Sequence, residues 1–191
     1  MTFKDLKKRV TLQQQTAQES KTFEQLHDKP FWIWDIEEHK QEDARTKGNC
    51  CFNHIIGLPT KGRIEKPIFD YEKILYDSLL TNEHSNTNVL NHNHTFKQKH
   101  LWVKKATGLG VTEFFLRLMA WLCLRNDDYR NSQMCIVTGP NIDTAINLIK
   151  RMKALFEPKL HVTFDSKETV LELNGCSIEA YPSNHIDACR A

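Results

Sequence analysis

The spacing of apolar residues changes several times along the chain, and each change marks an expected element. From residue 3 to 27 the apolar positions are sparse (Phe3, Leu6, Val10, Phe23, Leu26) among good helix formers, which predicts a polar, weakly amphipathic helix. At Pro30 the pattern breaks. PFWIWDIEEH sets three aromatic residues within four positions ahead of a charged run ending near Lys47, an aromatic knot of the kind that anchors an N-terminal segment onto a core. Gly57, Pro59, Gly62 and Pro67 mark an irregular stretch that leads into a short helix, Phe69 to Leu80. The Asn/His-rich segment TNEHSNTNVLNHNHT then reads as a surface loop.

Beyond residue 99 the signals sharpen. HLWVKKA is a short apolar strand, ATGLG a glycine-bearing turn, and Thr112 to Leu124 a buried helix. A polar turn over Asn126 to Asn131 precedes a continuous apolar strand, QMCIVTG, closed by Gly139-Pro140. Asp143 to Phe156 carries Ala145, Leu148, Ile149, Met152 and Phe156 at helical spacing. HVTFD, TVLEL and SIEAY follow as short strands, the last two flanking Asn174-Gly175, a strong two-residue hairpin signal. Strand, helix, strand, helix and then strands predict an α/β domain with a mostly parallel sheet and a terminal β-hairpin.

Length and composition narrow this picture. The chain has 191 residues, enough for one domain with an appended N-terminal segment, and 40% apolar with 26% charged residues is an ordinary globular balance. A net charge of +2 argues neither for nor against nucleic acid, since binding faces need clustered charge. Cysteines at 50, 51, 123, 135, 176 and 189 read as reduced thiols, and the N-terminus lacks the apolar core of a signal peptide, so the cytoplasm is the expected compartment. The most apolar stretch, Phe114 to Leu124, is about half of a bilayer span and contains Arg117, which predicts a buried helix and no membrane insertion.

A phosphate cradle needs converging backbone N–H groups, glycines that admit the anion, and a helix N-terminus behind them. Residues 106 to 112, ATGLGVT, offer these after a strand and before a helix. The usual GxxxxGK[ST] loop puts a lysine before the hydroxyl; aligned on Gly110 and Thr112, this chain has Val111 there and Lys105 at the first position, preceded by Lys104. A bare GxG is only a tight strand-to-helix turn. The lysine pair, the hydroxyl and the long buried helix together favour a cradle in which Lys105 folds across the loop.

LWVKKATGLGVTEFFLRLMAWL, MCIVTGPNIDTAINLIKRM and LELNGCSIEAYPSNHIDACRA together resemble the ATPase domain of viral and proviral terminase large subunits, the P-loop DNA-packaging motors. Some branches of that family carry the loop lysine at the start of the motif, where Lys105 stands. The resemblance spans residues 68 to 191 and implies a three-layer P-loop sandwich, incomplete here, with a helical extension over 1–66 and a partial ATPase domain over 67–191. It implies ATP with Mg2+ on Lys104, Lys105, Ala106, Thr107, Gly108, Leu109, Gly110, Val111 and Thr112, with Thr112 reaching the metal. It further implies adenine recognition by Tyr71 and Glu72, the latter in place of the family's glutamine, and a coupling role for Arg190, followed by Ala191 where the family has glycine. The family's Asp-Glu strand and acidic nuclease cluster have no counterpart in this sequence, which reads as a fragment or shortened product with weak turnover. Implied partners are double-stranded DNA, a portal and small terminase subunit, and further copies of the chain. A catalytically inactive interaction module and a helicase-type P-loop ATPase are the alternatives.

Other constellations carry less. Cys50, Cys51 and His54, with His92, His94 or His100, fit no standard zinc spacing and read as a packed thiol pair. Ser183, His185 and Asp187 lack a nucleophile elbow. Lys150, Arg151 and Lys153 read as a solvated face at a helix C-terminus, with a DNA-backbone contact as the alternative.

Overall fold

The computed structural model describes residues 23–61, 64–66, 68–82, 94–96, 101–160, 162 and 164–185. Along the chain these form α1 (Ile36–Thr46), α2 (Phe52–Ile56), β1 (Thr60–Lys61), β2 (Ile64–Glu65), α3 (Asp70–Leu79), β3 (Leu80–Asn82), β4 (His94–Phe96), α4 (Val111–Arg125), β5 (Gln133–Thr138), α5 (Ile142–Ala154), α6 (Glu157–Leu160), β6 (Val170–Leu173) and β7 (Cys176–Pro182). The fold is mixed α/β. Its main sheet runs β5-β7-β6, with β5 and β7 parallel and β6 and β7 antiparallel; β1-β2 and β3-β4 are separate two-stranded hairpins.

Helix α4 is the spine. Its apolar residues surround it on nearly every side, and Phe114, Leu118, Ala120, Trp121, Leu122 and Cys123 are all buried. Helix α5 starts at Asn141, whose Oδ1 accepts from the Asp143 N–H at 2.8 Å, and it buries Ala145, Ile149 and Met152 beside β7. The same residues that give its 3.6-residue rhythm form the contact.

The hairpin β6-β7 follows the Asn-Gly signal closely. Asn174 and Gly175 both take positive φ (50° and 75°), which a two-residue turn between right-twisted strands demands. Asn174 does more than turn the chain: its Nδ2 donates to the Cys123 and Asn126 carbonyls at 3.1 and 3.2 Å, capping the end of α4.

The N-terminal segment shares this core. Leu26, Phe31, Phe52, Ile55 and Ile56 belong to one buried cluster with residues of α4, α5 and the sheet. Phe31 stacks on Phe52 and Tyr76 and meets Phe114 and Trp121 edge-on, with centroids 5.6 to 6.4 Å apart. Backbone straps reinforce the contact: Trp121 Nε1 donates to the Lys29 carbonyl, the Asp28 N–H to the Arg125 carbonyl and the Phe52 N–H to the Pro30 carbonyl.

Three expectations need correction. HLWVKKA forms no strand among its described residues, 101–106: Trp102 is 95% exposed and both lysines are exposed, so the segment lacks the two-sided apolar character of a parallel-sheet strand. HVTFD makes no ladder either among its described residues, Val162, Phe164 and Asp165: Val162 and Phe164 go into the core as side chains, with Phe164 against Phe156. The sheet therefore has one parallel and one antiparallel pairing where a mostly parallel one was expected, and β5 alternates exposed and half-buried positions. Helices α1 and α2 were missed; α1 is charged on most faces and buries nothing, so no apolar stripe announces it. Among the described residues no helix is long and apolar enough to cross a membrane.

Replacing Phe31 by alanine removes the hub of five aromatic rings and is expected to cost about 3–5 kcal/mol in urea unfolding, in one transition reported alike by fluorescence and circular dichroism. A second, earlier transition would show instead that the N-terminal segment unfolds on its own.

Candidate functional site

The turn over residues 107–110 opens α4. Gly108 and Gly110 hold φ of 84° and 76°, and residues 102–110 are all exposed. Gly110 is the N-cap; it has no side chain to accept from the first-turn amides. A Cβ at Gly108 would meet open space, so what demands glycine there is the backbone conformation.

The expected residues arrange as follows. Lys105 Nζ donates to the Ala106 carbonyl at 3.3 Å, at the margin of the turn. Lys104, Ala106, Thr107 and Leu109 are exposed beside it, and Thr112 is exposed on the first turn of the helix. Val111, at the position of the usual lysine, is 6% exposed and packs inward, so that position faces the core. Arg190 and Ala191 lie outside the described residues, as do His92, His100 and Asp187.

Tyr71 is brought to the loop from 38 residues upstream, its hydroxyl donating to the Leu109 carbonyl. Its ring stacks on Phe69 with centroids 5.5 Å apart, and Phe69 is 44% exposed. Glu72 goes the other way. Its carboxylate is buried and its Oε2 accepts from the Phe69 N–H at 2.8 Å, while its own N–H donates to the Phe69 carbonyl. Half of a capping box thus occupies the group assigned to adenine. Burial raises the Glu72 carboxyl above the usual glutamate range, with the Phe69 N–H and then Arg117 opposing the rise.

Behind the first turn lies a cleft of about 570 Å³, whose walls include Gly57, Pro59, Glu113, Arg117, Arg151 and Lys159. Its three cations each have a partner within the protein. The buried Arg117 guanidinium gives Nε to Glu113 Oε1 at 3.0 Å and Nη1 to Asn53 Oδ1 at 3.1 Å and to the Gly57 carbonyl at 2.8 Å. Arg151 Nη2 reaches Glu113 Oε2 at 2.9 Å, and Lys159 Nζ donates to the His54 carbonyl at 2.7 Å. Lys153 bonds the Asp165 and Lys167 carbonyls. Of the three cations expected as a basic face, only Lys150 is exposed without such a bond among the described residues.

One cluster was assembled differently from its expectation. Among the described residues, Cys50, Cys51 and His54 are joined by His39 of α1. His39 was missed because its partners lie 11, 12 and 15 residues away across a turn, in an order and spacing that fit no common ligand pattern. The signal that could have found it is the pairing of His39 with Asp43 on one helical face.

No protein-family model matches the chain, and no curated protein or solved structure matches it.

Two measurements test this arrangement. Arg117→Met leaves Asn53 Oδ1 and the Gly57 carbonyl without their buried donor and Glu113 with Arg151 alone, and is expected to cost about 3–5 kcal/mol in chemical denaturation. For Glu72 the folded state holds its proton to a higher pH than the unfolded chain, so its contribution to stability falls as pH rises from the ordinary glutamate range through the raised value. The stability of Glu72→Gln relative to the parent should therefore increase with pH across that window and level off above it; a difference independent of pH would contradict the burial.

Proposed function

We propose that this chain is a terminase-like P-loop nucleotide-binding core, in which the phosphates of Mg-ATP lie over residues 105–112. The observation that carries the reading is the exposed turn with two positive-φ glycines feeding directly into a 15-residue helix whose N-cap has no side chain. An anion at that point receives the first-turn amides and the positive end of the helix dipole. Lys105, released from the Ala106 carbonyl, supplies the ammonium group that Val111 does not, and Thr112 offers its hydroxyl to magnesium. The stacked Phe69 and Tyr71 rings beside Leu109 give the base an aromatic surface. In this reading Glu72 positions that surface through the Phe69 N–H and does not itself read the adenine. The three-layer sandwich, translocation of double-stranded DNA, docking to a portal and small subunit, assembly into a homo-oligomer and a coupling role for Arg190 belong to the same proposal, and rest on the resemblance of residues 68–191.

A second reading is a non-catalytic interaction module with the same core. The inward-facing Val111 and the unpaired segment 101–106 favour it.

Thermal unfolding with Mg-ATP separates the two. A ligand that binds only the folded state, at a hundredfold excess over Kd, stabilises by about 2.7 kcal/mol, or about 5–10 °C for a chain of this size. Lys105→Ala should abolish that shift and leave the melting temperature without nucleotide unchanged, since its side chain is exposed. No shift with saturating Mg-ATP would leave the interaction module as the reading.

A further inference from the structure

We propose that His39, Cys50, Cys51 and His54 form a structural zinc site that joins α1 to the start of α2. The four candidate ligand atoms lie within 4.8 Å of one another. Cys50 Sγ is 3.7 Å from Cys51 Sγ, 3.4 Å from His54 Nδ1 and 3.7 Å from His39 Nε2. In a tetrahedron built on the usual zinc–sulfur and zinc–nitrogen lengths, the sulfur–sulfur edge is about 3.8 Å and the sulfur–nitrogen edge about 3.5 Å. All three measured separations agree with those edges to about 0.2 Å.

Hydrogen bonding alone accounts poorly for the arrangement. A thiol has one weak proton to give, and the Cys50 sulfur has three polar neighbours at hydrogen-bond range. One cation at the centre serves all four groups together. The donor set selects the metal: two soft thiolates and two imidazoles at tetrahedral spacing suit zinc, and hard cations that want oxygen are excluded. Charge also balances, because two thiolates neutralise a divalent ion and both imidazoles bind neutral. On binding, the two thiol protons leave to solvent. Each sulfur forms a bond to zinc, and the His54 ring proton moves from Nδ1 to Nε2.

The surroundings are built for such a site. Both cysteines are buried and both histidines half-buried. Trp32 packs against both imidazoles, with centroids 4.5 Å from His39 and 5.3 Å from His54, and covers the cluster from the apolar side. Asp43, one turn after His39, places Oδ1 at 2.8 Å from His54 Nδ1, the same nitrogen that would bind zinc, so this hydrogen bond belongs to the metal-free state and is given up when the metal binds. With four protein ligands the site has no open position, so its role is structural. It would fix α1, which buries no residue of its own, onto the segment that carries Asn53.

Zinc content and cobalt(II) spectra of the full chain test the proposal. Protein purified without chelator, or refolded with zinc, should carry one equivalent of zinc after dialysis. Cobalt in its place should give intense tetrahedral ligand-field bands and a sulfur-to-cobalt charge-transfer band of two-thiolate intensity. His39→Ala, Cys50→Ser, Cys51→Ser and His54→Ala should each weaken cobalt binding by more than about 100-fold, beyond the loss expected for an outer partner. Cys135→Ser, at an exposed position of β5, should leave the spectrum unchanged. Should a ligand variant not fold, the parent chain decides: a strong chelator should lower its melting temperature and equimolar zinc should restore it. Less than a tenth of an equivalent of zinc, an octahedral cobalt spectrum without the sulfur band, or wild-type affinity in any ligand variant would overturn the assignment.

Discussion

The structure depends first on a guanidinium held inside it. Arg117 sits in the middle of the most apolar helix of the chain, 4% exposed, and a charge there is tolerated only if its donors are met. They are met from three directions: Glu113 one turn earlier on the same helix, and Asn53 and the Gly57 carbonyl from α2 and the residue that ends it. Burial pulls the Arg117 pKa down from the usual arginine value, and Glu113 opposes that pull. Removing Glu113 would leave the buried guanidinium without its carboxylate, and removing Arg117 would leave Asn53 Oδ1 and the Gly57 carbonyl without their donor, which makes the relative placement of α2 and α4 far less negotiable than apolar contact alone would.

The N-terminal segment belongs to the core for that reason. Asn53 is fully buried and works at both ends: its Oδ1 accepts from Arg117 while its Nδ2 donates to the Phe31 carbonyl at 2.8 Å. Phe31 then places its ring among Phe52, Tyr76, Phe114 and Trp121. A polar link and an aromatic cluster therefore hold the same two pieces of chain together. The polar link supplies direction, which apolar burial lacks, and the rings supply most of the area removed from water.

What could be read from the sequence follows from which interactions are local. The β6-β7 hairpin was legible because Asn174 and Gly175 carry the positive φ themselves, and α4 and α5 because their apolar rhythm is the contact they make. The expected strand at 101–106 failed because apolar letters at Leu101, Trp102 and Val103 say nothing about whether a partner strand is present. Helix α1 was hidden, since its stability comes from the Asp35 cap on the Glu38 N–H and from pairs such as Glu42 with Arg45, with no buried face to set a period. The glycine loop was legible in place and in backbone conformation. The Tyr71 contact to it, and the diversion of Glu72 to the Phe69 N–H, arise from packing across 38 and three residues and needed coordinates. The cysteine–histidine cluster joins residues whose spacing matches no common pattern, so its geometry had to precede its chemistry.

The two proposed sites differ in how they are supported, and that difference bears on what each can do. The proposed phosphate loop is exposed from residue 105 to 110, so the cost of rearranging it around an anion is the cost of turning Lys105 and a few backbone torsions. Its foundation does not move so easily: Glu113, in the first turn of α4, bonds both Arg117 and Arg151, which ties the opening of the helix to α2 and α5. A zinc ion on His39, Cys50, Cys51 and His54 would act one step further back, since His54 is the neighbour of Asn53, and its carbonyl also receives Lys159. Metal in that position stiffens the platform under the loop without touching the loop. The expected relation between the sites is mechanical support, since a switch would require a second arrangement of α2 against α4 that this core, with its buried guanidinium, strongly disfavours.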